Sequence, residues 1–248
     1  MTRRAAMALL AAAPVLTKAA VKKAGVCRQL ITVESSAWTS TRAIMRLWSR
    51  ENAAAPWHQE DTEIPVVLGQ NGLRRGRGLH TISAGAAVKV EGDGCSPAGL
   101  FTLGNAFGPF TAKQAALPSW PWKQMTSHHA GVDDVKSAHY NKIVDSRKVQ
   151  KDWTSAENMI PVSGAYRWGL VVNHNAASAP HGGSCIFLHL WTGPRATTGG
   201  CTAMAEQDMV RVLRWLDEGK HPLLAQWPCA DWPAACAGVP MPTKRTGR

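Results

Sequence analysis

Ser184-Cys185-Ile186-Phe187-Leu188-His189-Leu190-Trp191, followed by Thr198-Gly199-Gly200-Cys201, is the stretch on which the reading of this 248-residue chain turns. The first run is rich in β-formers, and the two-residue period of a strand puts Cys185, Phe187, His189 and Trp191 on one face. Gly199 and Gly200 carry no Cβ, so the chain can bend sharply there and bring backbone N–H groups close to a bound carbonyl. Cys201 follows His189 by twelve positions. A cysteine on a turn of small residues, with an imidazole on a neighbouring strand, is the minimum equipment for acyl transfer through a thioester. An ordinary thiol is mostly protonated at neutral pH and needs such a neighbour, or a helix N-terminus, to become a thiolate.

Working outward, the run after the cysteine predicts a helix over Ala205 to Leu216, because Met209, Val212, Leu213 and Leu216 recur at helical spacing before Gly219. Cys201 is expected just ahead of it. Early acids (Glu206, Asp208) and later bases (Arg211, Arg214) suit the helix dipole, although Ala205 is a poor cap. Upstream, Ile64 to Leu68, Ala86 to Val90 and Tyr166 to Val172 read as strands bounded by turn residues. The spacing of Ile44, Leu47 and Trp48 predicts a second helix over Ser40 to Arg50. From Gly108 to Trp153 regular patterns are sparse, and a stretch of that length reads as a functional loop forming part of the cleft.

The run Gly183 to His189 with Thr198-Gly199-Gly200-Cys201 resembles the YkuD-like L,D-transpeptidase family. So does Lys89-Val90-Glu91-Gly92-Asp93-Gly94-Cys95-Ser96-Pro97-Ala98-Gly99-Leu100-Phe101, which is similar to that family's Glu-Gly-Asp-Gly-x-(Ser/Thr)-Pro-Ala-Gly signature. Tyr140-Asn141, Asp145 and Trp153 to Met159 match as well, and the likeness covers roughly residues 60 to 225. The resemblance implies a mainly β (α+β) fold, a β-sandwich or mixed-sheet catalytic domain with a helix following the nucleophile cysteine. It makes Cys201 the nucleophile, His189 its base, and the backbone N–H groups of Gly200 and Cys201 the oxyanion donors. Tyr140, Asn141, Asp145 and Gly199 become candidate substrate contacts. The implied reaction cleaves an L,D-peptide bond of a peptidoglycan stem peptide and passes the acyl group to an amine, with no metal or organic cofactor. Many members carry a histidine just before the Gly-Cys pair and an arginine two positions after the cysteine. Here Gly199 and Ala203 stand in those places, the pattern of a divergent branch.

Other readings are an L,D-carboxypeptidase of the same fold, a metal-dependent hydrolase using His174, His181 and His189, and a non-catalytic wall-binding module using some of the eleven tryptophans. The spacing of the three histidines matches no common metal motif.

Composition bounds the rest. Of the net charge of +11, nine units come from residues 1–30 and 237–248, which contain no acid. The nearly balanced middle argues against a phosphate-tracking groove, so no nucleic-acid partner is expected. Met1-Thr2-Arg3-Arg4 and the apolar run to Leu16 read as a charged n-region and a short h-region, too short to span a bilayer. Residues 1–30 are thus expected to be a targeting segment, 31–228 the catalytic domain and 229–248 a Pro/Ala-rich basic tail of an exported, periplasmic or wall-associated protein. Six cysteines leave local pairing of Cys229 with Cys236, and of Cys95 with Cys185, as options.

Overall fold

A computed structural model of the chain describes residues 26–60 and 63–242. The expected targeting segment lies almost wholly outside them, as does the end of the basic tail.

Among the described residues strand is the predominant regular structure. The first elements are β1 (Gln29–Ser35), β2 (Arg42–Ser49), β3 (His58–Gln59), β4 (Ile64–Val67), β5 (Leu73–Arg75) and the long β6 (Ser96–Gly108). A one-turn helix α1 (Ala112–Ala115) leads to β7 (Trp122–Gln124), β8 (His129–Val132), β9 (Lys142–Asp145) and β10 (Ala156–Asn158). Then follow β11 (Gly169–Val172), β12 (Phe187–Leu190), β13 (Thr202–Met204), helix α2 (Glu206–Trp215), β14 (Leu223–Pro228), β15 (Ala235–Cys236) and β16 (Val239–Pro240).

The main sheet runs β1-β14-β6-β11-β12-β13-β4-β2, and an antiparallel β1–β2 pairing joins the two ends of that path. The eight strands therefore form a closed hydrogen-bonded ring, which leaves no unpaired edge among them. Leu30, Ile31, Met45, Ile64, Leu100, Phe101, Leu170, Leu188 and Leu224, drawn from both faces of these strands, share one buried cluster. Helix α2 adds Met209, Val212 and Leu213 to it, each such side chain contributing about 1.5–3 kcal/mol by burial. The helix is where the periodicity placed it, with Ala205 as a cap that makes no side-chain hydrogen bond.

Three expectations are corrected. Ser40 to Arg50 is not helical: most of it is β2, in which Ala43, Met45 and Leu47 alternate into the core. The helical spacing of Ile44, Leu47 and Trp48 arose because Trp48 is buried on the opposite face, where its Nε1 donates to Thr32 Oγ1 at 2.9 Å. Ala86 to Val90 makes only an isolated bridge, Val88 with Arg75, because its neighbours go to loop contacts and a buried ion pair. Gly108 to Trp153 is not a structureless loop, since β8 and β9 join β10 in a separate three-stranded antiparallel sheet. That sheet backs a second buried cluster of Phe107, Met125, Met159, Cys185, Phe187 and Cys201.

All six cysteines are free. Cys95 Sγ donates to Asn71 O and Cys185 Sγ to Val132 O, so neither option for pairing is realised. Residues of the expected tail fold back on the domain: Trp57 Nε1 donates to Pro240 O, and Met241 joins the main core. Among the described residues no helix is long and apolar enough to cross a membrane.

Candidate active site

Strand β12 divides the two clusters. Leu188 and Leu190 face the main core, whereas Cys185 and Phe187 face the smaller one with Cys201. This is the two-residue alternation read from the sequence. Strand β13 runs parallel to β12, pairing Leu188 with Thr202 and His189 with Ala203, which brings Cys201 level with Phe187. The Phe187 N–H donates to Cys201 Sγ at 3.2 Å. β13 lies between the cysteine and α2, so the helix follows the nucleophile at one strand's remove.

The turn before the cysteine is locked by hydroxyls. Thr198 Oγ1 accepts from Gly200 N at 3.1 Å and donates to Cys201 O at 2.7 Å. Ser96 Oγ donates to the same carbonyl at 2.9 Å and accepts from Gly69 N at 2.8 Å. The two sequence motifs thus meet at the backbone of Cys201. Gly200 sits at φ +148°, and a Cβ there would approach Cys95 O to 2.9 Å, so only glycine fits without movement. Gly199 is different, with open space where its Cβ would point.

Cys201 and His189 line one cavity of about 280 Å³, with Gly199, Gly200, Tyr166 and Glu157. His189 Nδ1 lies 2.8 Å from Leu190 O, a pure acceptor, so Nδ1 carries the proton and Nε2 the lone pair. Burial lowers the His189 pKa below its ordinary value, keeping the ring neutral, although the bond to Leu190 works the other way. The Tyr166 ring packs edge-on at 5.3 Å from the imidazole. The thiol donates to Cys185 O at 3.4 Å. Burial first, and then the Glu157 carboxyl, push the Cys201 thiol up to about 12, against the Phe187 N–H and the Lys89 ammonium, so it rests protonated.

The family model of the YkuD L,D-transpeptidase catalytic domain matches residues 41–224, most of the chain. The chain belongs to this family. No curated protein and no solved structure matches it.

Within this L,D-transpeptidase domain the other candidate residues have distinct places. Tyr140 and Asn141 stand behind the cavity rather than in its wall. The Tyr140 hydroxyl donates to Glu91 and accepts from Gly183 N at 3.1 Å. Asn141, at φ +60°, accepts from Cys185 N at 3.0 Å and donates to the carbonyls of His174 and Asn175. Together they hold the loop that feeds β12. Asp145 ends β9 away from the cavity lining and pairs with exposed Arg147, whose hydrogen bonds hold its carboxyl below the usual range.

His174 is also spent on scaffolding. Its Nδ1 accepts from Arg77 N and its Nε2 donates to Gly182 O at 2.9 Å. Burial lowers it to about 3, so the ring is neutral. Among the described residues no three His, Cys, Asp or Glu side chains gather to hold a metal.

Sequence reasoning did not single out several residues around the sulfur. Lys89, almost fully buried, pairs with Asp93 at 2.8 Å, and its Nζ lies 3.3 Å from where a Gly200 Cβ would stand. Asp93 also accepts from Val90 N and Cys95 N; burial would raise its pKa, but these bonds and Lys89 lower it. The signature motif quoted this pair without revealing its purpose. Glu157 accepts the Tyr166 hydroxyl, and burial raises its pKa to about 7. No local pattern marks that carboxyl as buried.

Proposed function

We propose that the chain is a cysteine acyltransferase that cleaves an L,D-peptide bond of a peptidoglycan stem peptide through a thioester and passes the acyl group to an amine. The observation that carries this reading is the tautomer of His189: with Nδ1–H fixed on Leu190 O, Nε2 is the basic nitrogen left for the cavity that Cys201 lines. Reaction begins when the thiol leaves Cys185 O and gives its proton to Nε2. The thiolate attacks the scissile carbonyl, whose oxygen takes on negative charge at the Cys201 N–H. Because the Gly200 N–H is held by Thr198 in the resting enzyme, its service as a second donor requires that bond to yield. The protonated imidazole then gives its proton to the departing D-residue amine, leaving the thioester. An incoming amine loses a proton to Nε2, attacks the thioester and restores the thiol.

The scheme uses no cofactor. Its substrate lies outside the cytoplasmic membrane, which places the enzyme in the periplasm or wall, with residues 1–30 as a targeting segment, 31–228 as the catalytic domain and 229–248 as a basic tail. Defined muropeptides incubated with the protein, with and without an amine acceptor, and read by mass spectrometry test the proposal. A Cys201-linked acyl adduct and release of the terminal D-residue are expected. Identical product profiles from the wild type and Cys201→Ala would remove it.

A further inference from the structure

We propose that the Lys89 ammonium is the second donor to the oxyanion formed at Cys201, hydrogen-bonding the acyl oxygen as each tetrahedral intermediate forms and collapses. The proposal rests on the acyl-transfer reading of that cysteine.

Lys89 lines the cavity that holds the thiol, and it is the one lysine or arginine in that lining. Its side chain is only 3 % exposed. An ammonium has three N–H donors; Asp93 Oδ1 takes one at 2.8 Å, and no other acceptor among the described residues bonds the group. Buried donors without a partner cost free energy until an acceptor reaches them.

Two glycines clear the way for this side chain. A Cβ on Gly183 would stand 3.0 Å from Lys89 Cε, and one on Gly200 would stand 3.3 Å from Nζ. The ammonium is thereby set against the backbone that leads into the Cys201 N–H, the first donor in the proposed scheme. The Gly200 N–H is engaged by Thr198 Oγ1, so Lys89 offers a second donor without that bond having to yield.

Anchoring the loop does not need the ammonium. The Lys89 backbone is held by Arg75 O and the Arg77 guanidinium, and Asp93 already accepts from Val90 N and Cys95 N. Nor does the charge maintain a standing thiolate, since burial and then Glu157 keep Cys201 protonated in spite of it. Its use is for charge that develops during reaction. As the thiolate adds to the acyl carbon, the C=O π pair moves to oxygen, where the ammonium N–H meets it. The pair returns to the carbonyl as the C–N bond breaks, and the proton on the departing amine comes from His189. Lys89 keeps its own protons throughout.

Two reactions of the same sulfur test this without any peptide. Nitrophenyl acetate acylates Cys201 through a tetrahedral oxyanion and releases nitrophenolate, whereas iodoacetamide alkylates it with loss of iodide and no oxyanion. Lys89→Met is combined with Asp93→Asn so that no carboxylate is left buried without its counter-ion. Mass mapping of the Cys201 peptide gives both rates. The ratio of acylation to alkylation is expected to fall by about 10²-fold or more in the double variant. Equal losses in the two reactions, or none in either, leave the ratio unchanged and overturn the role of Lys89 while the acyltransferase reading stands. A wild type whose Cys201 takes up no acetyl group overturns both.

The wild type gives a second measurement that no misfolded variant can spoil. Trifluoroacetone adds to a thiol to give a hemithioketal, whose oxygen ionises readily and is followed by fluorine NMR. Formation of that adduct at Cys201 should shift the Nζ resonance of Lys89, the one buried lysine among the described residues. An adduct that leaves the resonance in place, or no adduct at a sulfur that the ester acylates, overturns the proposal.

Discussion

Ser96 Oγ donates to the carbonyl oxygen of Cys201 at 2.9 Å, across a sequence separation of 105 residues. Through that bond the long strand β6 fixes the turn that presents the sulfur. Ser96→Ala removes the donor and also strands the Gly69 N–H that the same hydroxyl accepts. A loss of about 1–3 kcal/mol in stability is expected from the buried unpaired group. Turnover should fall further than substrate affinity, because the displaced element is the nucleophile's backbone. Urea denaturation and steady-state kinetics on the same preparation check this, and an unchanged midpoint would show that the bond does not constrain the turn.

The two glycines before the cysteine should respond oppositely. Gly200→Ala forces a Cβ to 2.9 Å from Cys95 O at a φ that L-residues rarely adopt, whereas Gly199→Ala enters open space. Alanine at 200 is therefore expected to destabilise the protein and depress kcat, and alanine at 199 to leave the melting temperature near wild type. Thermal melts and thiol-labelling rates for the pair give the comparison. Equal effects at the two positions would contradict the close approach.

Much of this site was legible because strands carry their faces in the sequence. The alternation of Cys185, Phe187 and His189 against Leu188 and Leu190 places the imidazole on the same side as the sulfur, and the structure keeps that order. Helix α2 was legible for the same reason, its apolar stripe being uninterrupted. β2 was not: Trp48, buried on the face opposite Leu47 and donating to Thr32 of β1, imitates the helical period. The acids around the sulfur were also hidden, since Glu157 reaches the cavity through its pairing with β8, and Asp133 by following that strand, neither of which a local pattern records. Tyr140 and Asn141 stood out as a motif, yet their bonds go to the loop before β12 rather than into the cavity.

Removal of either reacting group separates chemistry from folding. Cys201→Ser preserves shape but lacks an accessible anion, so turnover should vanish while the melting temperature stays close to wild type. His189→Ala should lower kcat by about 10²- to 10⁴-fold through loss of proton transfer. The rate of Cys201 alkylation against pH gives an independent reading: its dependence on the imidazole should disappear in His189→Ala. Wild-type turnover by either variant would refute the assignment of roles.

Glu157 gives the fold a pH dependence of known sign. Burial raises its pKa from 4.5 to about 7, although the Tyr166 hydroxyl pulls the other way. A carboxyl whose folded value is raised contributes stability that is complete below the unfolded value and is lost as pH climbs to the folded one. The wild type should therefore lose stability from this group between pH 4.5 and about 7, on the order of a few kcal/mol. Glu157→Gln keeps an oxygen for Tyr166 and cannot ionise, so the difference in melting temperature between the two proteins should widen in the variant's favour across that window. Asp93, with its lowered pKa, acts at more acid pH and is common to both proteins, so it cancels in the comparison. Melting curves that stay parallel from pH 4.5 to 7.5 would mean that Glu157 ionises as readily in the folded chain as in the unfolded one, and that the field it exerts on Cys201 is present throughout.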